Sequence, residues 1–417
     1  MRSLYDILTR LSYIFLWVAQ FFSSKMKLFI NGRKGAIDKL KTSFSPADKT
    51  IWFHCASLGE FEQGLPVMKA VRKMLPEHKI LVTFFSPSGY EAKKHSEVAD
   101  CISYLPIDTA TNARKFIAAI RPVLAVFIKY EFWPNYLFEL KKQGIPAILI
   151  SGLFRKNQVF FSGYGGFMRR CLKTIDHFFV QDAGSIELLK SIGINRVTIS
   201  GDTRFDRVSH QIEQNNELSF ADEFIQNSLC VVCGSTWPED ETLLIQYINK
   251  SAEDVKFIIA PHIIDKVKID NLRRKLTKSV VVYSELETSN LSEAKVLIID
   301  TIGLLTRLYS YAHVAYVGGA MGNTGLHNIL EPATFGVPVV IGKNFSKFPE
   351  ATRMQSLAAL FSISTFDELA EIFDKLLSNS EFRDKAGLIA EHYVNRNTGA
   401  TAVITAYINE LHANGQI

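Results

Sequence analysis

Short β-branched and aromatic runs alternate with amphipathic stretches through most of the chain. In the first half, IWFHCA (51–56), KILVTFF (79–85), VLAVFI (123–128), PAILIS (146–151), HFFVQ (177–181) and RVTIS (196–200) read as strands. Between them, GLPVMKAVRKML and TNARKFIAAI space their apolar residues as helices do. A polar stretch, TRFDRVSHQIEQNNELSFADEF, has no period-2 run and predicts a linker over residues 206–222. The alternation resumes with LCVVCGS, KFIIAPH, VVVYSE, KVLIID, HVAYVG and VPVVIG. Repeated strand–helix alternation predicts open parallel sheets covered by helices. The expected fold class is therefore α/β, with Rossmann-like domains at 25–205 and 223–385 facing each other across a cleft. Helices follow at 386–417, one of them crossing back to brace the first domain.

One stretch of the second domain gives up its side chains. VGGAMGNTGLHNILEPATFGVPVVIG, Val317 to Gly342, reads as strand, glycine-rich loop, helix start and strand. Such a loop either makes tight crossover turns or turns backbone N–H groups, Gly319 among them, and a helix N-terminus toward an anion. Glu331 at the helix start is suited to hold sugar hydroxyls, as carboxylates hold a nucleotide ribose.

In open α/β sheets ligands sit beyond the carboxyl ends of the strands, so residues there are the candidates. In IWFHCASLGEFEQGLP, Glu60 falls in the first helical turn, either as a dipole partner or as a general base for a hydroxyl nucleophile. In FIKYEFWPN, Lys129 and Glu131 end a strand before Pro134 opens a helix, which Glu131 could also cap. In CGSTWPEDE, Ser235 and Thr236 either donate to a phosphate or cap the acidic helix. His262 follows the strand of IIAPHIID, and Ile302 and Gly303 follow Asp300 and Thr301 into a helix start. No His, Cys, Asp and Glu cluster has metal-ligand spacing, and no P-loop or nucleophile-elbow motif is present.

The N-terminal residues 1–24 change the picture. SLYDILTRLSYIFLWVAQFF is apolar and aromatic but interrupted by Asp6, Arg10 and Gln20, and Lys25, Lys27, Arg33, Lys34, Lys39 and Lys41 follow against Asp38 alone. A cleaved signal peptide lacks its small-residue site here, and a membrane span lacks an unbroken apolar run. A core helix rarely carries so many aromatics followed by cations. The favoured expectation is a helix lying in a membrane interface, its cations held to anionic lipid, with a single span as the alternative. Elsewhere charge is unremarkable: +5 over 417 residues does not imply nucleic acid. Five cysteines form no disulfide framework. Cys230 and Cys233 resemble a C-x-x-C motif, yet in a strand residues three apart point to opposite faces. They are expected to be core thiols.

Taken in order, CASLGEFEQGLPVMKAV, EFWPN, GSTWPEDE, DTIGLLTRLYSYAHVAYVGGA and GLHNILEPATFGVPVVIG resemble the 3-deoxy-D-manno-octulosonic acid (Kdo) transferases of bacterial lipopolysaccharide synthesis. The resemblance covers nearly the whole chain and implies a GT-B glycosyltransferase. It implies CMP-Kdo as donor in the second domain, a lipid A precursor as acceptor in the first, and inversion without a metal or other cofactor. It also implies work at the cytoplasmic face of the inner membrane. On matching motifs, Glu60 takes the place of the proton acceptor, and Arg204 that of a cation stabilising the departing nucleotide. Pro261 and His262, Ile302, Gly303 and Leu304, and Asn328, Ile329, Leu330 and Glu331 fall on CMP-binding positions. Three positions depart from the family pattern: His262 stands for an Arg, Lys129 for a Glu, and Leu304 for a carboxylate. Glu131 keeps a second carboxylate near the Trp-Pro. A nucleotide-sugar 2-epimerase of the same fold and a non-catalytic membrane-surface scaffold are the alternatives.

Overall fold

In the computed structural model, which describes residues 1–251 and 254–417, the apolar runs form parallel strands in two sheets. The first contains β1 (Thr50–Cys55), β2 (Lys79–Phe84), β3 (Cys101–Tyr104), β4 (Pro122–Ile128), β5 (Ala147–Gly152), β6 (His177–Val180) and β7 (Val197–Ile199), in the order β3-β2-β1-β4-β5-β6-β7. The second contains β8 (Leu229–Thr236), β9 (Val255–Pro261), β10 (Val280–Val282), β11 (Val296–Ile298), β12 (Val314–Val317), β13 (Val339–Gly342) and β14 (Leu360–Ile363), in the order β10-β11-β9-β8-β12-β13-β14. In the first sheet the order reverses between β1 and β4, and in the second between β8 and β12. A crevice opens at such reversals, because the flanking connections leave in opposite directions.

The sequence reading lacks β3 and β14. Both are four-residue edge strands, CISY and LFSI, paired on one side only. A run that short has no legible period, and pairing with β2 and β13 supplies what periodicity does not.

The chain divides into Met1–Arg207 with Thr398–Ile417, and Val208–Asn397. The expected linker over 206–222 is largely structured, since helices span Thr203–Ser209 and Ser219–Ile225. Asp206 is no linker residue: its carboxylate accepts the Thr401 N–H and hydroxyl, both at 2.7 Å, at the start of the helix Ala400–Ala413. That terminal helix belongs to the first unit, while the helix Ser380–Arg396 stays with the second. Ile404, Ile408 and Leu411 pack into the same core as Phe61, Val67, Met68 and Val71 of the helix Leu58–Met74. On the other sheet face, Trp52, Phe116, Phe127 and Tyr136 form an aromatic cluster. Cys230 and Cys233 are buried free thiols of β8. Burial raises both pKa values, so these are inert core groups.

Among the described residues no helix is long and apolar enough to cross a membrane. The helix Arg2–Ala19 buries none of its residues. It docks by polar contacts: Arg2 Nε donates to Asn135 Oδ1 at 3.0 Å, Tyr5 Oη to Asp108 Oδ2 at 2.9 Å, and the Ala110 N–H to Asp6 Oδ1 at 2.8 Å. Leu4, Leu8, Leu11, Phe15, Val18 and Phe22 remain exposed at helical spacing. Arg33 departs from its expected place in a lipid-facing basic run. It is buried, donates to the carbonyls of Phe29, Phe85 and Leu105, and lies 3.7 Å over the Phe29 ring. Burial lowers its pKa to about 10. Carbonyls that end β2 and β3 capture the guanidinium, a role no linear pattern announces.

Candidate active site

Beyond the carboxyl end of β1, Ser57 precedes the helix Leu58–Met74, and Glu60 is its third residue. Glu60 Oε2 accepts the Ser57 N–H at 2.9 Å, which closes a capping box. Capping alone favours an ionised carboxylate, yet the Glu60 pKa is pushed up to about 7. Burial is the largest cause and the Glu131 charge the next, while N–H bonds from Ser57 and Ala56 and the Lys129 ammonium pull the other way. The carboxyl thus titrates where a general base works best.

Glu131 and Lys129 follow β4, the neighbour of β1 across the reversal. Glu131 does not cap the helix Pro134–Lys142. The Trp133 indole N–H instead points between Glu131 Oε2 at 2.7 Å and His54 Nε2 at 2.9 Å. His54, fully buried on β1, has its Nδ1 2.8 Å from the Thr83 hydroxyl, which also accepts the Trp52 N–H at 2.8 Å. This chain of polar groups orients Glu131 from behind. His54 was overlooked in the sequence because a histidine inside an apolar strand carries no spacing signal; only its register opposite Thr83 shows its use. Lys129 has φ +67, an unfavourable conformation for a lysine, which marks a built strand end.

Arg204 is gripped by Asp202, whose Oδ2 lies 2.8 Å from both Nε and Nη2. Asp202 is buried and also accepts from Gln63 Nε2 at 3.1 Å, one turn beyond Glu60. Burial works against the Asp202 charge, but Arg204 and these hydrogen bonds hold its pKa below the ordinary value. The cation is therefore positioned against the helix that carries Glu60.

In the second unit, the glycine-rich loop after β12 does enclose an anion, but the anion belongs to the protein. Buried Asp240 accepts the Gly319 N–H at 2.9 Å, the Trp237 N–H at 2.9 Å and the Tyr316 hydroxyl at 2.8 Å. This corrects the reading of Gly319 as a phosphate donor, since its N–H is already engaged. Gly319 has φ +96, and a Cβ there would lie 2.1 Å from the Gly325 carbonyl oxygen, so the glycine is required by the fold of the loop. Thr236 is likewise buried, its hydroxyl donating to Glu241 Oε1 at 3.1 Å. Ser235 sits at φ +53 where β8 slips register against β9.

Glu331 is held at both carboxylate oxygens. Asn328 Nδ2 donates to one oxygen at 3.1 Å and Thr306 Oγ1 to the other at 3.3 Å. The second contact ties the loop of Ile302, Gly303 and Leu304 to the loop after β12. Ile302 projects into solvent at 89% exposure, whereas the Ile329 and Leu330 side chains are core, which leaves only their backbone for a ligand. Pro261 and His262 end β9, where the His262 ring stacks 4.8 Å from Trp237 and 4.4 Å from His327. Trp237 Nε1 donates to His327 Nε2 at 3.0 Å. Burial, then His262, pushes the His327 pKa down to about 4, and burial lowers that of His262. Both rings are neutral near pH 7, so this end offers hydrogen bonds in place of a charge. Among the described residues no three His, Cys, Asp or Glu side chains converge to hold a metal.

The family model for 3-deoxy-D-manno-octulosonic-acid transferase (kdotransferase) matches residues 30–207. A 3-deoxy-D-manno-octulosonic acid transferase of Aquifex aeolicus is 28% identical, over 81% of this chain and 89% of its own. One from Chlamydophila psittaci is also 28% identical, over 74% and 73%. These matches support the Kdo transferase family. The relatives it matches are named Kdo transferases, a glycosyltransferase family. A UDP-GlcNAc 2-epimerase of Neisseria meningitidis, solved with UDP-GlcNAc, superposes with a TM-score of 0.61 over 87% of this chain and 100% of that one. At 16% identity it shows the fold alone, two parallel-sheet α/β domains like those of GT-B glycosyltransferases. The Trp237, His262 and His327 rings pack together at the end of β9. Like His54, His327 and Asp240 are residues the motif reading did not single out.

Proposed function

We propose that the protein transfers Kdo from CMP-Kdo to a hydroxyl of a lipid A precursor, with inversion and without a metal. The observation that carries this reading is the Glu60 carboxyl, raised to about 7 at the end of β1 beside Glu131 and Lys129. Ionised Glu60 accepts the acceptor hydroxyl proton as the oxygen attacks the Kdo anomeric carbon. The bond from that carbon to the phosphate oxygen breaks, and CMP leaves with the electron pair. Arg204, held by Asp202, supplies positive charge toward the departing monophosphate, which carries less charge than a diphosphate and is neutralised by fewer donors. Glu331 takes the ribose hydroxyls, and His262 donates a neutral hydrogen bond to the donor's anionic groups.

The exposed apolar face of Arg2–Ala19, with Trp17 and Phe21 packed at 5.4 Å near its end, supports attachment at the cytoplasmic surface of the inner membrane. The decisive experiment incubates the protein with CMP-Kdo and lipid A precursor, with and without EDTA. CMP release that requires the lipid and survives EDTA is expected. Release without lipid, or its loss on chelation, overturns the acceptor or the metal-free step respectively. Interconversion of a UDP-sugar instead points to the epimerase chemistry of the fold neighbours.

A further inference from the structure

A cavity of about 490 Å³ opens where the N-terminal helices meet the loop after β3, and nothing in the proposed reaction uses it. Its lining carries four cations, Arg10, Arg33, Lys41 and Lys115, against one carboxylate, Asp38. Tyr13 and Asn112 add neutral hydrogen-bonding groups. Two of the cations are tied locally: Arg10 Nε lies 2.9 Å from Asp6 Oδ2 and Lys41 Nζ 2.8 Å from Asp38 Oδ1. Arg33 is different. It is 91% buried, its three donor nitrogens bond carbonyl oxygens, and the rings of Phe29, Phe85 and Tyr104 surround it. No carboxylate pairs with it among the described residues. A desolvated cation without a counter-ion is costly, and an anion entering the cavity offsets that cost.

The remaining wall says what carries the anion. Ile14 lines the cavity, and its helix presents Leu11, Phe15 and Val18 to solvent, so one opening joins a cationic hole to an apolar stripe. A free phosphate has no use for the stripe, and a neutral lipid has none for the cations. We infer that this cavity binds the phosphate of a lipid headgroup whose acyl chains lie along the N-terminal helix. A phosphomonoester brings a charge of about −1.5 to −2 at neutral pH, close to what the lining lacks. Pro106 and Ile107 in its wall follow β3, so the cavity lies at the carboxyl end of the first sheet, the end that carries Glu60. A lipid held there is kept on the reacting side of the domain. The inference rests on the interfacial reading of the N-terminal helix only for its vesicle arm.

The test uses the full chain and monomeric dihexanoylphosphatidic acid, with dihexanoylphosphatidylcholine and inorganic phosphate as the other probes. Calorimetry should show the phosphatidic acid binding at least ten-fold more tightly than either control. Lys115→Glu, an exposed change, and Lys41→Glu should each lower that affinity by about ten-fold while the thermal midpoint stays unchanged. Arg33→Met should abolish binding. If it fails to fold, the two lysine variants decide alone. Equal binding of inorganic phosphate means a free-anion site and overturns the lipid assignment. Unchanged affinity in the lysine variants overturns the cavity altogether. Flotation with phosphatidylglycerol vesicles is the separate arm: monomer binding without flotation keeps the cavity and rejects the membrane reading.

Discussion

Replacing Glu60 by Gln separates two effects that the helix end places on one carboxyl. Burial and the Glu131 charge carry its pKa from 4.5 to about 7. At about 1.36 kcal/mol per unit, that displacement of roughly 2.5 units corresponds to about 3.4 kcal/mol. Partial exposure reduces the expected share to about 2–3 kcal/mol. A carboxyl whose folded pKa lies above its unfolded value binds protons better in the folded state. Its favourable contribution is whole below about pH 4.5 and is lost as pH rises through about 7. The neutral Gln keeps an oxygen for the Ser57 N–H and carries no such penalty. At pH 8 the variant should therefore be about 2–3 kcal/mol more stable than the parent, with the gap closing as pH falls toward 4.5. Turnover should move the opposite way, down by about 10²–10⁴-fold, the usual contribution of a general base. Urea unfolding at pH 5 and 8, followed by circular dichroism, reads the first effect, and lipid-dependent CMP release reads the second. A variant that retains more than a tenth of parental turnover refutes the base. A variant less stable than the parent at pH 8 refutes the electrostatic argument and makes Glu60 a cap.

Glu131→Gln removes the like charge that helps raise Glu60, so the acid limb of the pH–rate profile should move to lower pH; an unmoved limb separates the two carboxyls. Glu331→Ala removes a charged acceptor held by Asn328 and Thr306, and CMP affinity by calorimetry should fall by the roughly 1.5–3 kcal/mol of such a bond. Asp240→Ala leaves the Trp237 and Gly319 N–H groups and the Tyr316 hydroxyl without their acceptor. At about 1–3 kcal/mol for each orphaned group, the second domain should lose at least about 3 kcal/mol. His78 is buried, neither ring nitrogen has a partner among the described residues, and burial, with Lys49 and His412, lowers its pKa. Protons then favour the unfolded chain, so stability should fall as pH drops below about 6.5. His78→Leu should flatten that limb in urea melts at pH 5 and 7.5.

Much of this protein is local and therefore legible in one dimension. Strands β1, β2, β4, β8, β9 and β12 are continuous apolar runs because both of their faces are covered, and such runs stand out between helical spacings. Glu60 and Glu331 were found because a carboxylate at a strand-to-helix turn is a pattern of neighbours. The short edges β3 and β14 were invisible, since four residues paired on one side inherit their conformation from the adjacent strand. What tertiary structure decided is where each polar group ends up and what it bonds. The glycine-rich loop announced an anion, but only folding shows that Asp240, 79 residues before Gly319, takes the N–H that a phosphate was expected to take. Arg33 counted as one more cation in a basic run, until the carbonyls at Phe85 and Leu105 drew it inward. Asp206 looked like linker until the returning C-terminal helix placed its first turn against it. In each case the residue type fixes what the group can bond to. Its partner lies tens to hundreds of residues away, and only the packing of the sheets and helices brings the two within 3 Å.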